Sequence, residues 1–286
     1  MTILLKSVES RARRFAGGFT LTELLTVVGI MAILMAMLTP TLNSALTQAR
    51  RSACASNISS VINGAQLFAR ADSKMRLPYV KPKTTNDERG PHPDNWGDMI
   101  EGNPGCLARL IQSKHCQREQ FLCPEARGTR NFKEMPLEAT NFSYDSSTGA
   151  STLSYSFISM VYKKGWKTSD EPSGNLAAKM NLSNVPGTLP VLADQNPRCT
   201  FGQQTLKSYA QLDAEADNRL GLKRRRNSPN HDHLGQNVGR WDQSVKWITD
   251  ANNPNLPEDD IYTSACSSSD EKLGRRAVMD DSFLIP

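Results

Sequence analysis

Between Phe19 and Leu38 the chain runs for 20 residues with one charged side chain, Glu23. As a helix rising about 1.5 Å per residue, this stretch reaches roughly 30 Å, the thickness of a bilayer's hydrocarbon core. It exceeds the apolar region of a secretory signal, about 7–15 residues. No small-x-small cleavage site closes it at Leu38-Thr39-Pro40-Thr41. The expectation is a transmembrane helix over residues 19–39. Charge sets its direction. Residues 1–18 carry Lys6, Arg11, Arg13 and Arg14 against Glu9, a net +3, whereas Arg50 and Arg51 lie well beyond the run. The positive-inside rule then leaves the N-terminus in the cytoplasm and exports everything past about residue 40.

Most of the chain's net charge of +5 therefore belongs to the leader, and a basic nucleic-acid-binding domain is not indicated. The run Lys223-Arg224-Arg225-Arg226 has no interleaved aromatic residues and reads as a solvated loop. Hydrophobic residues make up 38% of a chain with 18 Gly and 16 Pro, which points to a loop-heavy exported part. Glu23 does not suit an idle anchor. An ionised side chain inside the bilayer costs about 2–3 kcal/mol or more unless it meets a partner.

The segment Arg13-Arg14-Phe15-Ala16-Gly17-Gly18-Phe19-Thr20-Leu21-Thr22-Glu23-Leu24-Leu25 resembles the processing motif of type IV prepilins and type II secretion pseudopilins. A basic leader, a Gly-Phe junction, Glu at the fifth place after it and an apolar run coincide over about residues 11–50. The resemblance implies cleavage between Gly18 and Phe19 by a prepilin peptidase, and N-methylation of Phe19 by the same enzyme. It also implies that Glu23 neutralises the Phe19 amine of a neighbouring subunit during assembly. Pro40 stands where pilins often carry a helix-breaking proline, and it would kink or locally melt the helix. The partners implied are other pilin or pseudopilin subunits, the prepilin peptidase, an inner-membrane assembly platform and membrane lipid. No nucleic acid is clearly implied. The location implied is the bacterial inner membrane, with a periplasmic head that passes into a periplasmic or cell-surface filament.

Past Pro40 the apolar positions Leu42, Leu46, Ala49 and Ala53 recur at three- and four-residue spacing. A second set follows in Cys54, Ile58, Val61, Ala65 and Phe68. This predicts one helix from about Phe19 to Arg70, its second half amphipathic and packed on a globular head. Residues 76–104 and 250–260, rich in Pro and Asn, read as loop. The patterns predict a helix at Gly105–Ser113 and short strands at Phe121–Cys123, around Leu153–Phe157 (half-buried, alternating with serines) and at Leu189–Ala193. A hairpin over Gly239–Ile248 turns at Asp242-Gln243. The expected class is α+β: a long N-terminal helix, transmembrane then amphipathic, packed on a small antiparallel β-sheet head with long loops. Its expected divisions are the leader 1–18, the transmembrane helix 19–39, the continuation 40–70 and the head 71–286.

The head carries a second resemblance. Cys123-Pro124, Ser154-Tyr155, Ala193-Asp194-Gln195-Asn196-Pro197, Asn227-Ser228-Pro229-Asn230-His231, Gly235–Val238 and Asp242 look like a family of large prepilin-like proteins. In that family a His precedes an Asp-Gly in the last hairpin by about ten residues. Here Gln243 replaces the Gly. His231 is expected to clamp the hairpin by hydrogen bonding near Asp242.

All six cysteines, Cys54, Cys106, Cys116, Cys123, Cys199 and Cys266, follow the membrane run. On an oxidising side disulfides are expected, with Cys106, Cys116, Cys123, Cys199 and Cys266 as candidates and at least one local bridge in the first three. Their spacing lacks the C-x2-C pairs of a zinc site. His231 and His233 would point the same way on a strand, with Asp194 or Asp242 able to complete a metal site, but a hydrogen-bonding role is the simpler reading. No metal and no cofactor is expected. No nucleophile motif, phosphate loop or dinucleotide fingerprint is present, so no enzyme is expected. The functional expectation is a pilin-like structural subunit. The alternative is a periplasmic binding or enzymatic domain on a permanent single-pass anchor.

Overall fold

The structure is a computed structural model. It describes residues 19–73, 75–78, 103–126, 134–139, 151–158, 185–198 and 226–251, with shorter pieces at 142, 144–145, 150, 161–162, 182–183, 211–212, 261–262, 275–276 and 284–285. The leader, Gly18, Cys199, Cys266, Lys223–Arg225 and most of both expected loops lie outside the described residues. The chain divides into two compact units, Met1–Thr47 and Gln48–Pro286.

Helix α1 runs Leu21–Ala71. Its start is a capping box. Thr20 Oγ1 accepts from the Glu23 N–H at 3.2 Å, and Glu23 Oε2 accepts from the Thr20 N–H at 2.9 Å. Two orphan donors at the helix end are thereby satisfied reciprocally. The first unit's helix is exposed almost throughout, including Leu21, Ile30, Met37, Leu42 and Leu46. It is long and apolar enough to cross a membrane once, with a mean hydropathy of 2.2 over its most apolar window. Pro40 lies inside a continuous helix, so of the kink or local melting expected there, the melting does not occur. The imide removes one donor, that to the Ala36 carbonyl, and the remaining ladder carries the helix past it.

In the second unit α1 buries Cys54, Ile58, Val61, Ile62, Gly64, Ala65, Gln66 and Ala69. Of the two expected apolar sets, the second is therefore the core stripe, with Phe68 half-buried, while Leu42, Leu46, Ala49 and Ala53 of the first remain exposed. Gly64 has a packing reason: a Cβ there would collide with Cys116 Sγ. Helix α2 spans Asn103–Gln112, close to its expected range, and buries Cys106, Leu107 and Leu110.

Nine short strands are described: β1 Tyr144–Asp145, β2 Ala150–Ser151, β3 Tyr155–Ile158, β4 Val161–Tyr162, β5 Pro190–Asp194, β6 Gln236–Arg240, β7 Val245–Ile248, β8 Arg275–Arg276 and β9 Leu284–Ile285. Five of them form an antiparallel sheet in the order β7-β6-β5-β3-β9. The class is α+β. The two remaining pairs are β1 with β2 and a parallel β4 with β8.

Two sequence expectations fail locally. Strand β3 is buried on both faces, not half-buried. Its serine meets a partner far away in sequence: Ser156 Oγ accepts the Asn196 N–H at 2.8 Å, and Asn196 Nδ2 in turn donates to the Leu284 carbonyl at 2.8 Å. Residues 121–123 are not a strand. A 3₁₀ turn at Arg118–Phe121 occupies the first of them, and the Cys123 N–H donates to Ser154 Oγ rather than to a ladder.

The hairpin forms with a three-residue loop. The Gln243 N–H donates to the Arg240 carbonyl at 2.9 Å, the Arg240 N–H to the Ser244 carbonyl at 2.9 Å, and Gln243 takes φ 69°. Glycine is the usual residue at that left-handed position, and Gln243 holds it at about 1–2 kcal/mol. Its amide helps by donating to Gln66 Oε1 of α1 at 2.7 Å. Asp242 Oδ1 accepts from the Ser244 N–H at 2.9 Å and hydroxyl at 2.6 Å.

The helix lies against β6 at Gly239, opposite Leu192 of β5. A Cβ at Gly239 would fall inside the contact distance of Ile58 Cγ2 and Ile62 Cδ1. Gly239→Val should therefore destabilise the second unit by about 2 kcal/mol through overpacking. Denaturant unfolding of the detergent-solubilised chain checks this; an unchanged midpoint would show that the helix does not press on the strand there.

Candidate functional site

Four polar side chains converge where α1 crosses the sheet. Strand β5 ends in Asp194, paired with Tyr155 of β3. Ser228 caps the turn Pro229–His231 by accepting the Asn230 N–H at 3.3 Å, and Pro229 suits the first turn position. Asp232 and His233 follow with φ 51° and 56°, reversing the chain towards β6. That sharp reversal buries Asn230 and His231 together. Cys123 arrives from the Arg118–Phe121 turn, and Cys54 from the buried stripe of α1.

The ligand-type atoms of Cys54, Cys123, Asp194 and His231 all lie within 4.8 Å of one another. Cys54 Sγ donates to Asp194 Oδ1 at 3.1 Å, Asp194 Oδ2 lies 3.1 Å from His231 Nε2, and Cys123 Sγ lies 3.7 Å from the same nitrogen. A surrounding layer fixes them. Asn230 Nδ2 donates to Asp194 Oδ1 at 3.0 Å and the Asn237 N–H donates to Oδ2 at 2.7 Å. Glu125 Oε2 pairs with His231 Nδ1. The imidazole packs edge-on to Trp247, over whose ring the Arg51 guanidinium also stands, 4.3 Å from the ring centre.

Electrostatics follow from this crowding. Burial alone would raise the Asp194 carboxyl, but the bonds from His231, Asn230 and the Asn237 N–H hold it below its ordinary value. Burial likewise opposes a charged His231, yet Asp194 and Cys123 raise it to about 11. The Cys54 hydrogen bond brings the Cys123 thiol down to about 7, with His231 assisting against burial. Burial pushes Cys54 well up, so of the two thiols it keeps its proton.

A thiolate beside an imidazolium and a carboxylate is the arrangement of a cysteine nucleophile. Here all four groups are buried. A cleft of about 440 Å³ lies between Arg118–Leu122 and Glu134–Leu137, and none of the four lines it. What the arrangement offers is a closed set of two sulfurs, one nitrogen and one carboxylate.

The expected residues are distributed unevenly about this centre. His231 does meet the hairpin, at Asn237 and Trp247, and not near Asp242, which is occupied with Ser244. The reason is the Pro229–His231 turn, which sends the ring towards Asp194. That same turn replaces the strand on which His231 and His233 would have been parallel; His233 Nδ1 instead pairs with the Asn227 carbonyl at 2.8 Å. The disulfide expectation needs correction for Cys116 and Cys123, which are unbridged thiols. Cys116 Sγ lies against Gly64 and the Val61 carbonyl, whereas Cys123 faces His231. Cys106 is buried in α2. The sequence places Cys54 in the packing stripe and Asn230 in the segment before His231 without a role, and Glu125 carries no expectation. The signal available was Glu125 directly after Cys123-Pro124, and a cysteine in a stripe otherwise filled by Ile, Val and Ala.

Comparison with protein-family models, curated proteins and solved structures finds no match to this chain.

Removing the carboxylate tests the centre's cohesion. Asp194→Ala strips the counter-charge from a buried imidazolium and takes the carboxylate away from three further donors, the Cys54 thiol, the Asn230 amide and the Asn237 N–H. A loss of about 3–5 kcal/mol is expected. The denaturation midpoint of the solubilised chain reads it, and a change below about 1 kcal/mol would show the cluster to be solvated.

Proposed function

We propose that the chain is a pilin-like structural subunit, a pseudopilin or minor pilin. In this reading it is cut between Gly18 and Phe19 by a prepilin peptidase, methylated at Phe19 and incorporated into a type IV pilus or type II secretion filament. It acts as scaffold, not as enzyme. The observation that carries the reading is the surface of α1. Its apolar side chains are exposed on all faces from Leu21 to Leu38, and the exposure continues at Leu42 and Leu46, beyond the length a bilayer needs. An anchor has no use for that continuation; a helix that leaves the bilayer to pack among copies of itself does. The net +3 of the leader supports a cytoplasmic N-terminus and an exported second unit.

The capping box favours a second reading, in which Glu23 serves its own helix and α1 is a permanent anchor. Two variants separate the readings. Glu23→Gln keeps the box, since Gln serves at that position, but removes the charge. Glu23→Val removes both. If Glu23 neutralises a neighbour's Phe19 amine, both variants insert and are processed, while their recovery in sheared filaments falls at least about tenfold, the change produced by about 1.4 kcal/mol. If Glu23 is a cap alone on a permanent anchor, sheared filaments hold neither variant nor wild type, and all three stay in the membrane fraction.

Processing has its own readout. In cells with an active prepilin peptidase, mass spectrometry of the mature chain should find N-methyl-Phe at position 19. An N-terminus that retains the leader counts against the subunit reading.

A further inference from the structure

We propose that Cys54, Cys123, Asp194 and His231 are the four ligands of a structural zinc ion in the second unit. Zinc takes thiolate at about 2.3 Å and nitrogen or oxygen at about 2.0–2.1 Å, so the corners of its tetrahedron stand about 3.3–3.8 Å apart. Here Cys54 Sγ stands 3.1 Å from one Asp194 oxygen, His231 Nε2 stands 3.1 Å from the other and 3.7 Å from Cys123 Sγ, and with one donor atom per residue every pair lies inside 4.8 Å. Small adjustments bring such a set onto one ion.

The surroundings are those a metal-ligating histidine and carboxylate use. His231 Nδ1 is engaged by Glu125, which directs Nε2 at the other three ligands. A carboxylate on the far ring nitrogen is the common outer partner of a zinc-bound histidine. Asp194 is oriented by Asn230 and by the Asn237 N–H, and the backbone at Cys123 is fixed by Ser154. Two thiolates with one imidazole and one carboxylate suit Zn²⁺, whereas a carboxylate is a poor ligand for the softer Cu(I). All four residues are buried, so the set is closed, as in structural rather than catalytic sites. When zinc binds, the protons held by the thiols and the one on His231 Nε2 leave to solvent, the ring keeping a single proton on Nδ1 towards Glu125, with no oxidant or reductant involved.

The site replaces the metal-free head that cysteine spacing suggested. Its ligands are spread over 178 positions of sequence, from 54 to 231, which is why no C-x2-C pair announces it. It would also explain two cysteines kept as thiols in an exported unit, because a ligated thiolate is withdrawn from disulfide exchange.

The test uses the full chain, extracted in detergent without chelator and supplied with zinc. Metal analysis should find about one zinc per chain, and X-ray absorption should find two sulfur and two nitrogen or oxygen neighbours. The double variant Cys54→Ser/Cys123→Ser should lose at least nine-tenths of the zinc, and Cys116→Ser, which removes a buried thiol outside the cluster, should retain it. The wild-type spectrum stands even if the double variant does not fold. Zinc below about a tenth of an equivalent in the wild type overturns the proposal. So does a zinc centre with fewer than two sulfurs, or a Cys54–Cys123 disulfide in peptides of the zinc-supplied protein.

Discussion

The carboxylate of Asp194 is where the second unit is tied together. It is fully buried and receives the Cys54 thiol from α1, the Asn230 amide from the turn before β6, the Asn237 N–H from β6 and the His231 ring. Even its backbone is engaged, since the Tyr262 hydroxyl donates to the Asp194 carbonyl at 2.8 Å. A buried charge tolerates no partial solution: either its neighbours supply hydrogen bonds from several directions, or the group is expelled or neutralised. Because those neighbours come from separate elements, satisfying one side chain fixes the positions of all of them.

The apolar part of the core follows the same geometry at closer range. Glycines at 64 and 239 remove side chains where α1 meets Cys116 and β6, so the helix backbone approaches until Ile58 and Ile62 fill the gap. Without those two absences the helix would stand further off, and Cys54 could not reach Asp194. The small residues set the distance, and the polar cluster uses it. Gln66 and Gln243 complete the seam: Gln66 donates to the Trp241 carbonyl and accepts from Gln243.

Local patterns in the sequence predicted what local forces decide. The apolar run, the helical stripe and the terminal hairpin rest on periodicity and turn chemistry, and they appear in α1, β6 and β7 close to where the pattern places them. Elements governed by distant partners were less legible. The serines beside Tyr155 alternate like the wet face of an edge strand, but Asn196 and Cys123 come from afar to bond them. Cys54 fits a core stripe as a small apolar residue, and nothing near it in sequence reveals that it faces a carboxylate 140 positions away. Phe121–Cys123 has the composition of a strand, yet the proline after it and the turn before it leave no room for a ladder. Gln243 shows the reverse case: an unfavourable residue in a turn that forms regardless, held by an amide contact that turn rules do not include.

Cys54 sits on the same unbroken helix as the apolar segment that begins at Leu21. A helix advances about 1.5 Å and turns about 100° with each residue. Sliding α1 along the sheet by a single residue would therefore swing this sulfur away from Asp194 and bring Ala53 or Ala55, neither able to donate a hydrogen bond from its side chain, into its place. A pull along the helix axis thus meets a mechanical stop at one side chain, and its resistance comes from the angular precision of the contact as much as from its strength.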